Sequence, residues 1–191
     1  MGLLSEGINE VIATTRLNAA PMGIINRNNK LLMNLYRGSH TAANVEADGW
    51  IVANFTYDPI LWVRTAFEDL EPNAFVDMTI NGKTMCHLHD AEAWAAFDAT
   101  IQKKSRESIV VSLTPLKEEI SNLRLHPVNR GFNNLIEAAV HVTRYVRFKD
   151  QYLLDLINHH GTLVRRCGGL PEQRALDMLM EYLEKNTKKI D

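Results

Sequence analysis

Three short clusters in the sequence carry side chains capable of chemistry. The first is Tyr36-Arg37-Gly38-Ser39-His40-Thr41. Gly38 suits a sharp strand-to-helix turn, and the start of a helix offers unpaired backbone N–H groups and the positive end of its dipole. Arg37 would add a cation, and Ser39 and Thr41 two hydroxyls, which together make a small cradle for a phosphate. Ordinary capping also accounts for Ser39. The second cluster is Cys86-His87-Leu88-His89-Asp90. On a strand His87 and His89 share a face and can share a metal ion, with a third ligand from His126 or from His159-His160. No complete ligand set is visible, so these are read as polar residues at an exposed strand end, with no metal assigned. The third is Glu137, His141 and Arg144, spaced i, i+4, i+7 along one helix face. They are either an acid–base group facing a substrate or a solvated face with a Glu-to-His pair, and the second is favoured for want of further signal. Cys167 follows Arg165 and Arg166, whose charges would favour a thiolate, but the Gly168-Gly169 that comes next marks a helix end.

The elements that must position these groups are strands first and helices last. Ile8–Leu17 and Ala19–Asn26 read as strands, the second with Pro21 inside it, which places it on an edge or at a bulge. Gly23 leaves room for another backbone or a flat ligand. Asn28-Asn29 joins this strand to Leu31–Tyr36 as a hairpin. A helix from Ser39 ends at Asp48-Gly49, and Trp50–Phe55 is a further strand. Asp58-Pro59 opens a helix with proline at its first position. Phe75–Ile80 and Lys83–Leu88 flank Asn81-Gly82, a strong hairpin signal. Ala91–Lys103 is read as a strand from its Phe97, Ala99, Ile101 alternation, against the helical propensity of its alanines. Ser108–Leu113 is a strand ended by Pro115. From about Lys117 the chain turns helical, over Gly131–Phe148, Gln151–Gly161 and Pro171–Lys185, with a frayed tail at Lys188-Lys189. The expected architecture is α+β. Its domains are 1–116, a strand-built unit, and 117–191, a helical one.

Bulk properties narrow the function classes. The chain has 191 residues, 46% hydrophobic, enough for a normal core. Lys and Arg total 21 against 23 Asp and Glu, a net charge of -2, which gives no general attraction for nucleic acid. Two cysteines make neither a disulfide framework nor a zinc pattern, so the expected compartment is cytoplasmic. No leader-like start and no run of roughly 20 apolar residues is seen, so no membrane association is expected.

The stretch Ser39-His40-Thr41-Ala42-Ala43-Asn44-Val45, followed by Val52-Ala53-Asn54, resembles a motif of flavin reductases, in which a strand leads into Lys-Asp-Thr-x-x-Asn-Ile and then a strand ending in Asn. Thr41, Asn44 and Asn54 match, Ser39 and His40 depart from it, and Arg37 stands where it can supply the cation Ser39 lacks. These enzymes share the FMN-binding split barrel with pyridoxamine-phosphate-oxidase-like proteins. More closely, INEVIATT…NAAPMGI, YRGSHTAANV and NRGFNNLIEAAVHVTRY, in that order, make the chain similar to a mostly archaeal family of uncharacterised flavin-binding split-barrel proteins. The resemblance implies a Greek-key, antiparallel FMN-binding split β-barrel with a C-terminal helical extension. It further implies FMN as cofactor and a homodimer with flavin at the subunit interface. The candidate cofactor-binding residues are then Pro21, Met22, Gly23, Ile24, Tyr36, Arg37, Gly38, Ser39, His40, Thr41 and Asn44. Pro21 to Ile24 would offer backbone groups to the polar edge of the ring, with Met22 and Tyr36 on its face.

The leading expectation is a flavin-dependent oxidoreductase of unknown small-molecule substrate and electron donor, without an identifiable catalytic acid or base. A flavin carrier without turnover and a metal protein built on His87 and His89 are the alternatives. No Gly-x-Gly-x-x-Gly follows a strand, so a pyridine nucleotide would bind only transiently.

Overall fold

The computed structural model describes residues 2–188 and divides into two compact units, 1–56 with 69–124 and 57–68 with 125–191. In the first, six strands form a closed antiparallel barrel in the order β1-β2-β3-β8-β7-β4. They are β1 (Gly7–Thr15), β2 (Asn18–Arg27), β3 (Lys30–Tyr36), β4 (Trp50–Phe55), β7 (Ala93–Lys104) and β8 (Ser108–Ile120). Strands β1 to β3 are consecutive hairpins and β4 returns to pair with β1, which is a Greek key. Asn28 and Asn29 both have positive φ, the type I′ turn that matches strand twist.

The barrel is incompletely zipped between β2 and β3. Their pairing runs only from Arg27↔Lys30 to Ile24↔Met33. Beyond it β2 keeps only β1 as a partner, with Pro21 opposite Ile12. Counted back from the two-residue turn, Arg27, Ile25, Gly23 and Pro21 aim their backbone groups at the β3 side. Pro21 thus lacks its N–H on an edge, where the loss is tolerated. Helix α1 (His40–Asp48) follows β3 and lies against β1, β2 and β3. Its Ala42 and Val45 join Val11, Ile24, Met33, Leu35, Phe97 and Val111 in the barrel core.

Strand β4 is buried on both faces, which explains its unbroken apolar run. Ile51 and Ala53 point into the barrel. Trp50 and Val52 point outward and pack with Trp94 and Ala96 under a separate hairpin, β5 (Phe75–Ile80) and β6 (Lys83–Leu88), turned at Asn81-Gly82.

The second unit holds α2 (Pro59–Phe67), α3 (Arg130–Phe148), α4 (Gln151–Cys167) and α5 (Leu170–Lys188). Val63, Leu135, Val142, Ile157, Val164, Leu176 and Leu179 form its core. Gly131 and Gly168 touch so closely that a Cβ on Gly131 would lie 2.2 Å from the Gly168 Cα, so only glycine fits.

Several sequence expectations change. Strand β8 does not stop at Pro115 but runs to Ile120. Phe97 pairs with Pro115 and Ala96 with Lys117, so Leu116 is the extra residue of a bulge, and beyond Leu113 this strand pairs only with β7. A proline at a bulge on an unpaired edge is tolerated. The chain therefore stays extended past residue 116, and the division falls after Arg124, with 57–68 assigned to the helical unit. Helix α4 passes through Gly161, whose missing Cβ would meet only Leu176 at ordinary contact distance, and ends at Cys167. Helix α5 begins one residue before Pro171 and includes Lys188; Lys189 and the last residues of the 117–191 assignment lie outside the described residues.

Candidate functional site

The turn from β3 into α1 is built as its residue types demand. Gly38 has φ 91°, a conformation open to glycine and costly to others. Ser39 is the N-cap: its Oγ accepts from the Ala42 N–H (3.2 Å) and donates to the Tyr36 carbonyl (2.8 Å). The N–H groups of His40 and Thr41 come before the first intrahelical bond, made by Ala43, and have no intrahelical acceptor. Tyr36, Arg37, Gly38 and His40 are exposed, so this positive helix end opens to solvent.

Arg37, two residues before the cap, is held by a loop far along the chain. Its N–H donates to the Glu107 carbonyl (2.9 Å) and its Nη1 to the Ser105 carbonyl (3.1 Å). The loop at Ser105–Ser108 therefore holds the guanidinium, a role not legible along the chain because the partner lies 68 residues away. In the last turn of α1, Glu46 pairs with Lys104 at 2.6 Å. The Lys104 hydrogen bond, with the charges of Lys104 and Arg37, holds the Glu46 carboxyl below its usual range.

The remaining residues of the expected cradle face inward. Thr41 is buried, and its Oγ1 accepts from Asn18 Nδ2 at 3.0 Å. Asn44 donates from Nδ2 to Thr15 Oγ1 (3.1 Å) and to the Arg16 carbonyl (3.4 Å). These bonds dock α1 on the β1–β2 turn. Asn54 is wholly buried and ties the outer hairpin to the barrel: it donates to the Ile12 carbonyl (2.8 Å) and accepts from the Leu88 N–H (2.7 Å). Two matching motif residues, Asn44 and Asn54, thus position elements.

On β2, Ile24 lies in the barrel core and Met22 packs against it. The Ile24 side chain is not offered outward, that of Met22 is half-buried, and Pro21 to Gly23 also present backbone at the open edge. Gly23 lacks a side chain for a local reason as well, since a Cβ there would meet Ile8 Cγ2 at 3.1 Å. A cavity of about 320 Å³ lies elsewhere in this unit, near the other end of α1, lined by Arg16, Asp48, Trp50, Asp77 and Cys86 among others. Arg16 and Asp48 are ion-paired at its wall. Burial pushes the Cys86 thiol up to about 12, with the Asp77 charge adding to it, so Cys86 is a protonated core residue.

The other sequence clusters come apart or regroup. Strand β6 ends at Leu88, so His89 leaves the face it was expected to share with His87. His87 stacks on Trp94 and His89 pairs with Asp90, while His126 stacks on Tyr57 in the other unit. On α3, Glu137 and His141 do share a face, and His141 lies alongside His160 of α4, ring centroids 5.4 Å apart. Burial, ahead of the neighbouring charges, lowers the pKa of both imidazoles.

Residues 9–122 match the model described as Protein of unknown function (DUF447) N-terminal domain, and residues 129–181 the model described as Protein of unknown function (DUF447). An FMN-bound protein of that family from Methanosarcina mazei is 38% identical in sequence, with TM-score 0.87 over 93% of this chain and 95% of that one. An uncharacterised protein of Methanocaldococcus jannaschii is 22% identical over 92% of this chain and 98% of its own length. An FMN-binding protein from Thermus thermophilus, 8% identical, shares the fold with TM-score 0.50 over 63% of this chain and 75% of that one. The barrel with its helical unit is therefore the expected α+β architecture of an FMN-binding split barrel.

Proposed function

We propose that this chain, which belongs to the family described as Protein of unknown function (DUF447), binds FMN with the flavin's phosphate on the β3–α1 turn. The observation that carries this reading is the exposed turn itself. Gly38 bends the chain into α1, which leaves the N–H groups of His40 and Thr41 without an intrahelical acceptor, a few residues from the exposed Arg37. These groups suit a phosphate dianion: two backbone donors, a helix dipole and a planar cation lie within one short stretch. The FMN held by a relative 38% identical supports the choice of ligand. In this reading Ser39 stays the cap, Thr41 and Asn44 keep α1 docked, and Tyr36 flanks the phosphate. The free backbone edge at Pro21 to Gly23, beside Met22 and Ile24, meets the polar rim of the ring. Met22, half-buried against the barrel core, keeps part of its side chain for the face of the ring.

FMN supplies hydride and single-electron chemistry when bound, so the activity we assign is oxidoreduction of a small molecule. The flavin reductase-like motif with Thr41 and Asn44 supports that class. We further assign a homodimer. Leu125 and Val128 of the helical unit are 93% and 90% exposed in the isolated chain, apolar side chains of the kind that a second copy covers. Purified protein should be yellow and hold one FMN per chain, and its bound flavin should be bleached by NADH or NADPH under anaerobic conditions and recolour in air. Light scattering should give twice the 21.7 kDa chain mass. Flavin that is bound but never reduced by either donor would leave a carrier. Protein that takes up no added FMN would reject the reading.

A further inference from the structure

We infer that α3 and α4 hold a site for one divalent transition-metal ion of the zinc class, ligated by Glu137, His141 and His160. One ligand atom from each of these three lies within 4.8 Å of the other two. A tetrahedral ion with donors at zinc distances needs donor separations of about 3.4 Å, so the three atoms must draw together by at most about 1.4 Å to hold one. Glu137 and His141 stand one above the other at i, i+4 on α3, and His160 comes from the facing helix.

The surroundings favour ligation. His160 Nδ1 lies 2.8 Å from Asn134 Oδ1, an atom that can only accept. The Asn134 amide is in turn oriented by its Nδ2, which donates to the Arg130 carbonyl at 2.7 Å. The proton therefore sits on His160 Nδ1, and the Nε2 lone pair is left for an ion. A ligand histidine whose second nitrogen is fixed by an oxygen is the usual arrangement around bound zinc. On the other ring, His141 Nδ1 is buried with no hydrogen-bond partner among the described residues. A buried nitrogen left in that state is costly, and coordination answers it. The two rings lie nearly parallel, 27° apart, without a hydrogen bond between them. Side by side they gain most from a shared cation.

Two imidazoles and one carboxylate suit zinc and its neighbours, whereas calcium and magnesium prefer all-oxygen sites. Glu137 is exposed, so the fourth position faces solvent and stays open to water or a ligand. Arg144, one turn further along α3, is also exposed and can swing away from the ion. His159 meets the edge of His160 and completes the polar surroundings.

The test uses the full chain, stripped of metal by a chelator and dialysed, then titrated with ZnCl₂ by calorimetry, with CoCl₂ as a spectroscopic probe. The expected result is saturation at one ion per chain and, for cobalt, the visible absorption of a low-coordinate site. His141→Ala or His160→Ala should weaken zinc binding about 100-fold or more, and Asn134→Ala about tenfold. His87→Ala with His89→Ala should change nothing. Absence of saturable binding to the wild type overturns the inference, as does unchanged affinity in a His160→Ala chain with native circular dichroism. If the histidine variants fail to fold, unchanged affinity in both Glu137→Gln and Asn134→Ala overturns it equally.

Discussion

Replacing Arg37 by alanine should cost FMN roughly tenfold in affinity and riboflavin almost nothing. The side chain is exposed and packs into no core, so its loss should leave the barrel intact. Its side-chain bond to the Ser105 carbonyl ties it to an exposed loop, so little stability goes with it. What is removed is a charge-assisted contact to a dianion at an exposed helix end. Such a contact is worth about 1–1.5 kcal/mol, between an exposed ion pair and a fully desolvated one. At about 1.4 kcal/mol per decade this is roughly five- to tenfold. The helix N–H groups remain, so binding weakens without vanishing. Quenching of flavin fluorescence, measured for FMN and riboflavin on wild type and variant at two salt concentrations, reads the effect. The FMN-to-riboflavin preference should shrink in the variant, as should its dependence on salt. Arg37→Lys should fall between, since an ammonium keeps the charge and loses the planar fork. Equal losses for the two flavins, or no loss for either, would refute a phosphate role for Arg37.

Gly38→Ala should lower stability by about 1 kcal/mol through its positive φ alone, because a Cβ there has nothing within 4 Å to strike; a urea midpoint equal to wild type would contradict this. Ser39→Ala should cost about 1 kcal/mol by removing the cap of α1, read by the same melts. Gly131→Ala should be far worse, about 3 kcal/mol or more, because the new methyl would overlap Gly168; a native-like melting temperature would refute the close contact. At pH 8 a disulfide reagent should modify only the half-exposed Cys167 in native protein. Cys86, with its thiol raised to about 12 by burial, should react only after denaturation.

Local chemistry made much of the barrel legible in the sequence. The paired positive-φ residues at Asn28-Asn29 and Asn81-Gly82 and the cap at Ser39 act within a few residues, so their geometry is written in adjacent types. The alternation through Phe97 identified β7 against the helical propensity of its alanines. Features set by distant partners were not legible. Pro115 reads as a strand end unless its bulge opposite β7 is known. Gly161 reads as a helix stop unless Leu176 is seen beside it. The membership of α2 in the helical unit depends on packing between Val63 and residues more than 70 positions later. In the candidate site, Arg37 and the exposed helix start were readable, whereas the inward turn of Thr41 and Asn44 depends on Asn18 and Thr15. His141 and His160 come together only through the packing of α3 on α4, which spacing along the chain does not reveal.

Amide chemical-shift mapping on the ¹⁵N-labelled chain as FMN is added addresses the binding place residue by residue. The amides of His40 and Thr41, the donors the cap leaves unused, should move furthest downfield, and riboflavin should leave them nearly still. Saturation with FMN while those two signals stay in place would contradict the assignment of the phosphate to the start of α1.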